Sequence, residues 1–368
     1  MTTFANSRLA VVKVGTSSVT DSRGALDESA LGKLAVDLAR ARAEGWKVVL
    51  VLSGAVAAGM PALGLDRRPT DMSTLQAIAA VGQPRLVGRM SELLAPHGIV
   101  AGQVLLDPYD FLHRSQYLHA RDTLGRLLDL GVLPVVNEND TVADDEIRFG
   151  DNDRLAALVA HLLGAEVLVL LTDTPGLFTA DPRLDAGASL IAEIVEVDTA
   201  LEAVAGGTGS ARGSGGMTSK LQAAKIAAWS GVRAVIAAAA SDGVIVAALA
   251  GRSVGTTVQP RAERLAARKL WIAFAQAAEG RVVVDDGARR ALVESGRSLL
   301  PAGIRAVEGT FDDAAAVEVV GPDGAVFAKG LVRMSGAELR QAMGKRSSEL
   351  PEELRREAIH RDDLVVLP

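Results

Sequence analysis

The sequence predicts an α/β fold class: a mostly parallel sheet sandwiched by helices, followed by a small β-barrel-like module. Three observations predict it. Up to residue 260, near-continuous apolar runs alternate with segments of helical spacing, the pattern of parallel strands covered on both faces. Small polar residues follow most of those runs, as expected where ligands gather beyond the C-terminal strand ends. From residue 279 the pattern changes to short β segments and Gly-rich turns.

Taken in order, Leu9–Val14 is a buried strand closed by the turn Gly15-Thr-Ser-Ser18. Asp27 caps a helix whose Leu31, Leu34, Ala35 and Leu38 share a face, ending near Gly45. Lys47–Leu52 is the next strand, followed by Ser53-Gly54-Ala55. Further strands are expected at Ile99–Val104, Val132–Val136, Val167–Leu171 and Val232–Ala237, with helices over 71–95, 115–130, 152–163 and 218–230. Arg261–Lys269 reads as a charged helix or linker, and the whole of 261–278 as the join between a domain at 1–260 and a second at 279–361. In the second, strands are expected at Arg281–Val284, Gly303–Gly309, Ala316–Val320 and Ala325–Gly330, with one short helix at Asp286–Glu294 and a final strand at Leu364–Leu367.

Composition narrows the chemistry. The 368 residues suffice for two or three domains of about 100–200 residues each. Hydrophobic residues are 49% but aromatics only 3%, so the core must be aliphatic. There is no cysteine, which excludes disulfides, Cys-ligated metal and a thiol nucleophile. The five histidines are scattered without an HxxxH or HxH pair. The net charge of −6 is not that of a general polyanion binder. No apolar run reaches the roughly 18 residues of a membrane span, and the first residues lack a signal peptide. A cytoplasmic protein working through Lys, Asp, Asn and backbone amides is expected.

Five segments carry candidate chemistry. Lys13 is a charge inside an apolar run, costly unless paired or aimed at a ligand; Gly15 beyond it admits a close phosphate. An edge-strand lysine reaching solvent is the bland alternative. Ser53-Gly54-Ala55-Val56-Ala57-Ala58-Gly59 opens a helix start suited to anions, or serves tight packing through Gly and Ala. Asn137-Glu-Asn-Asp-Thr141 and Phe149-Gly-Asp-Asn-Asp153 place two clusters of amides and carboxylates about one connection. They suit a ligand bearing ammonium and carboxylate groups, or the positioning of Mg²⁺; Asp151 as a helix cap is the plain reading. Thr172-Asp173 follows a strand where a nucleotide would be contacted, and Pro175-Gly176 is explained as a turn. Finally, the Gly/Ser stretch from Gly206 runs into a helix carrying Lys220, an arrangement suited to phosphate. It is not a Walker A box, since Ser219 stands where that motif needs Gly. His360-Arg361-Asp362 lacks the later asparagine of a protein-kinase catalytic loop and reads as a surface triplet.

VVKVGTSSVT, SGAVAAG, NENDTV, FGDND, LLTDTPGLFTADPR and SGGMTSKLQAAKIA stand in the order seen in bacterial glutamate 5-kinases (γ-glutamyl kinases). Over nearly its whole length the chain resembles that family, part of the amino-acid kinase superfamily. The block from Val284-Asp-Asp-Gly to Leu299-Leu-Pro-Ala-Gly-Ile304 looks like the PUA domain attached to many of them. The resemblance implies an enzyme, a phosphotransferase with a carboxyl acceptor. It implies ATP and Mg²⁺ as cofactors, L-glutamate as substrate, the first step of proline biosynthesis, a homo-oligomer and proline as feedback inhibitor. Carried over, Lys13, Lys220 and Asp153 would be catalytic, Asp153 organising the lysines or a metal. Ser53, Asp140 and Asn152 would hold glutamate. Lys13, Thr172, Asp173, Ser214, Gly215, Gly216, Met217, Thr218, Ser219 and Lys220 would contact the nucleotide; no residue is assigned as a dedicated metal ligand. Leu52 stands where the family commonly has a small polar residue, and Ser214 where Thr often precedes the Gly pair.

Two alternatives stay open: a kinase of the same fold for another carboxylate or phosphate, and an RNA-binding protein working through the PUA-like module. From Glu279 onward 13 Lys+Arg face 16 Asp+Glu, and Phe311 and Phe327 are the only aromatics. That is a poor footprint for nucleic acid, although Arg289, Arg290 and Arg297 offer a local patch.

Overall fold

The computed structural model describes residues 8–21, 24–111, 113–142, 152–205, 214–262, 264–274 and 278–367. The chain forms two compact units, one ending at Arg264 and the other beginning at Leu265.

In the first unit the elements run β1 (Leu9–Val14), α1 (Glu28–Ala43), β2 (Lys47–Leu52), α2 (Ala55–Gly59), α3 (Met72–Leu94), β3 (Ala101–Leu106), α4 (Arg114–Asp129) and β4 (Leu133–Glu138). They continue with α5 (Asn152–Leu163), β5 (Val167–Thr172), β6 (Glu193–Ile194), α6 (Thr199–Ala205), α7 (Ser214–Trp229), β7 (Arg233–Ala238), α8 (Val244–Leu249) and β8 (Gly255–Val258). The eight strands make one sheet in the order β3-β4-β2-β1-β5-β7-β8-β6. It is parallel except where β8 runs antiparallel to β7. The expected α/β sheet is therefore present.

The apolar runs are buried on both faces. Ala10, Val12 and Val14 of β1 share a core with Leu31, Leu34 and Leu38 of α1 and with residues of α3 and α8. Val11, on the opposite side of the pleat, is also fully buried, and Lys13 shares its side. Asp27 caps α1 as expected, accepting from the N–H groups of Ser29 and Ala30. Between α1 and α8, the Ile245 N–H donates to Asp37 Oδ2 at 2.8 Å, 208 residues apart. Among the described residues no helix is long and apolar enough to cross a membrane.

The second unit holds α9 (Ala267–Phe274), β9 (Gly280–Val284), α10 (Asp286–Val293), β10 (Ile304–Gly309), β11 (Ala316–Val320), β12 (Val326–Val332), α11 (Gly336–Ala342) and β13 (Ile359–Val366). Its separate sheet has the order β10-β9-β11-β12-β13. Phe311 and Phe327 are buried in its core beside Val282, Val317 and Leu339, so neither offers a ring for base stacking. Arg289 is ion-paired with Asp323.

Several boundaries differ from the sequence reading. The stretch read as a linker contains α9, whose Leu270, Ile272 and Ala273 are buried; its apolar face makes it part of the second unit. The third strand begins two residues late, at Ala101, because the Ile99 N–H closes the turn from α3 on the Leu94 carbonyl. The last strand is longer than Leu364–Leu367 and takes in His360-Arg361-Asp362. β8 escapes an apolar-run search because its Thr256 is buried with a satisfied hydroxyl. That oxygen donates to the Ile191 carbonyl at 2.7 Å and accepts from the Leu177 N–H at 2.8 Å. α11 is a further helix beyond those expected, started by a full capping box of Ser335 and Glu338.

Candidate active site

The C-terminal ends of β2, β1 and β5 lie side by side, and each passes a candidate residue to the same rim. The strand order reverses about β1, whose neighbours β2 and β5 are far apart in the chain, the place where open α/β sheets bind ligands.

The first group is charged and buried. Lys13 Nζ lies 2.6 Å from Asp153 Oδ1, and Lys220 Nζ lies 3.2 Å from Asp153 Oδ2. Ser219 Oγ donates to the same Oδ2 at 2.7 Å, and Lys220 Nζ donates to the Gly216 carbonyl at 3.2 Å. Asp153 is 1% exposed, Lys13 4% and Lys220 7%. Burial by itself would raise the Asp153 pKa. The two ammonium groups and the hydrogen bonds outweigh it and hold the carboxyl below its ordinary value. Asp153 also sits in the first turn of α5, where the helix dipole favours a negative charge. Two cations share this one carboxylate in a desolvated place, where a charge is costly unless it is paired or meets an anionic ligand.

The second group is a chain of side-chain hydrogen bonds beginning on the residue before Asp153. Asn152 Nδ2 donates to Ser53 Oγ at 3.0 Å and to Asn137 Oδ1 at 2.8 Å. The Glu138 N–H donates to both Asn137 Oδ1 and Asn152 Oδ1. Asn137 Nδ2 donates to Gln83 Oε1 at 3.1 Å, and Gln83 Nε2 donates to Asp140 Oδ2 at 3.1 Å. Desolvation raises the Asp140 pKa, and the Gln83 hydrogen bond and the Arg68 charge oppose the rise. Ser53, Asp140 and Asn152, named from the sequence, are thus tied into one network. Asn137, which opens one of the two clusters marked in the sequence, joins it without an assigned role, and Gln83 joins it from outside every marked segment. Gln83 had a readable signal: it is a polar residue on the apolar stripe of α3, four residues after Ala79 and three before Leu86.

Small residues make this placement possible. Gly54, which leads into α2, has a φ of +118°, a value that favours glycine. α2 then lies directly on α3. A Cβ on Gly59 would sit 2.2 Å from the Ile78 carbonyl oxygen, and one on Gly82 would sit 1.7 Å from that of Ala55. The small-residue motif after β2 therefore serves helix–helix contact as well as presenting Ser53. Leu52 is fully buried in the core, so it leaves Ser53 without a neighbouring hydroxyl.

The remaining candidates occupy nearby positions. Thr172 Oγ1 donates to Asp173 Oδ1 at 3.1 Å, and both residues line a cavity of about 600 Å³ together with Val14, Ser17 and Ser241. α7 begins at Ser214, four residues before the start read from the sequence, and includes Gly215, Gly216, Met217, Thr218, Ser219 and Lys220. A Cβ on Gly216 would meet nothing within 4 Å. The Thr218 hydroxyl donates to the Ala205 carbonyl at the end of α6. Gly150, Asp151 and the stretch from Gly206 to Gly213 lie outside the described residues.

Comparison with known proteins finds relatives along nearly the whole chain. The amino acid kinase family model matches residues 8–238, and the PUA domain model matches residues 280–354. A protein of Mycobacterium avium (strain 104) named glutamate 5-kinase is 49% identical over 98% of this chain and 97% of its own. The glutamate 5-kinase of Burkholderia multivorans is 47% identical over 99% of each chain. That of Myxococcus xanthus is 47% identical over 100% of this chain and 98% of its own.

Proposed function

The chain belongs to the amino acid kinase family and carries a C-terminal PUA domain, and from that premise we propose that it is a glutamate 5-kinase. It transfers the γ-phosphoryl group of ATP to the side-chain carboxylate of L-glutamate, forming γ-glutamyl phosphate at the start of proline biosynthesis. The observation that carries this is the pair Asn152–Asp153. Consecutive residues at the head of α5, they give one side chain to a network of amides that reaches the Asp140 carboxylate and the other to two buried lysines. An amino acid and a phosphate donor can meet across that one peptide unit.

The chemistry needs few groups. A γ-carboxylate has a pKa of about 4.3, so it is ionised at neutral pH and needs no general base. One of its oxygens attacks the γ-phosphorus, a P–O bond forms, and the bond to the β–γ bridging oxygen breaks, releasing ADP. The obstacle is bringing two anions together. Unit charges about 4 Å apart repel by about 1 kcal/mol in water and about 4 kcal/mol at an effective dielectric of 20. Lys13 and Lys220 supply fixed positive charge against that repulsion and against the charge that builds on the transferring group. Asp153 holds both in place before the nucleotide arrives. Magnesium enters with ATP as the substrate MgATP, held by the phosphates. Thr172, Asp173 and the head of α7 contact the nucleotide in this reading, and Ser53, Asp140 and Asn152 contact glutamate. A homo-oligomer, proline inhibition and a cytoplasmic location follow from the family resemblance.

Incubation with MgATP, glutamate and hydroxylamine tests the reading. Glutamyl hydroxamate should accumulate in step with ADP. Aspartate, acetylglutamate and UMP should give little turnover in the same panel. Turnover of any of these in preference to glutamate would replace the substrate assignment.

A further inference from the structure

Gln83 has no role in the steps just derived, yet the amino-acid side of the site hangs on it. Its side chain is 5% exposed and nearly saturated. Nε2 donates to Asp140 Oδ2 at 3.1 Å and to the Glu138 carbonyl at 3.2 Å, and Oε1 accepts from Asn137 Nδ2 at 3.1 Å. Its orientation is fixed by its partners. A flipped amide would place Oε1 against a carboxylate and a carbonyl, and Nε2 against a donor. The helix that carries it is itself held in place, since Gly82, the preceding residue, touches the Ala55 backbone. A neutral donor also suits the position. It orients the Asp140 carboxylate without cancelling its charge, whereas a lysine there would neutralise it.

Resting on the reading of this pocket as the glutamate site, we propose that Gln83 is its positioning residue. One amide sets the separation of Asn137 and Asp140, and with it the geometry in which the ammonium and carboxylate groups of glutamate are received.

The test compares wild type with Gln83→Met, which keeps the volume and removes every hydrogen bond, and Gln83→Glu, which keeps the shape and cannot donate to Asp140 when ionised. The expected result is a rise of about 10- to 100-fold in KM for glutamate, the scale of a lost hydrogen bond to a charged group. KM for ATP should be unchanged. Unchanged KM for glutamate in both variants, or an equal rise in both KM values, overturns the proposal. Should Gln83→Met fail to fold, Gln83→Glu gives the same readout. An inactive wild type would instead defeat the substrate reading, and Gln83 is then tested alone by carbon NMR titration of Asp140 in the free chain. Beside the neutral Gln83 donor, the charge of Arg68 acts on that carboxyl. Without the Gln83 hydrogen bond its pKa should rise above that of wild type; an identical titration would refute the positioning role.

Discussion

At the scale of single residues, the site depends on how charges are shared. Asp153 balances two buried ammonium groups, so Asp153→Asn removes the counter-charge that they share. Breaking a buried ion pair in this way costs about 3–5 kcal/mol, and a lowered melting temperature together with lost turnover should record it. Lys220→Ala is a different case. It leaves the Lys13–Asp153 pair intact, so turnover should fall about 100- to 1000-fold, the scale of a lost transition-state donor, with a smaller change in melting. Intact turnover in Lys220→Ala would remove that lysine from the mechanism. Lys13 stands out in the sequence because a charge in an apolar strand breaks the local pattern; Asp153 does not, since a carboxylate at a helix head is ordinary, and only the family resemblance singles it out. Gln83 was harder to find. A glutamine in a helix is ordinary, and what distinguishes this one is a set of partners more than fifty residues away.

At the scale of elements, the contact between α2 and α3 sets the pocket's dimensions. Gly82→Ala would force a methyl group against the Ala55 carbonyl. The two helices would have to separate, at a cost of about 1–3 kcal/mol. Thermal melting should fall, and KM for glutamate should rise while KM for ATP holds, because Ser53 lies just ahead of α2 and Gln83 on α3. An unchanged KM for glutamate would show that the pocket tolerates the separation. The strands and long helices were legible because apolar periodicity marks them. β6 and β8 were not: β6 is two residues long, and β8 buries a threonine that reads as polar until its hydrogen-bond partners are known. The close contact of α2 and α3 was half legible. The glycines marked small spacing, but nothing local to the motif named a helix as the neighbour.

For the whole molecule, the change of pattern marks where the second unit lies but not its limits: α9, whose charged approach hides an apolar face, falls inside that unit, and β13 runs to Val366, past the expected end at 361. The first unit also carries an acid-sensitive group. His161 of α5 is buried with Nδ1 unpartnered, and burial, aided by the charge of Arg264, lowers its pKa from 6.5 to about 4. Between those values the unfolded chain binds more protons than the folded one. His161 therefore contributes stability above about pH 6.5 that is lost as the pH falls toward 4, up to about 3 kcal/mol. Asp153 acts in the same direction at lower pH, and the raised Asp37 and Asp140 act against it. Melting curves at pH 7 and 4.5 should show His161→Leu losing less stability than wild type; equal losses would rule out the histidine as the cause. The bond from Ile245 to Asp37 has its own consequence for biosynthesis. At about 5–20 residues per second, the ribosome needs roughly 10–40 s to produce the partner of Asp37 after making it. Over most of that interval β1 and β2 can pair, but the β1 edge that β5 will cover is open to other chains. That edge stays open until β5 has emerged, and the Asp37–Ile245 bond between α1 and α8 closes only after a further stretch of chain has followed.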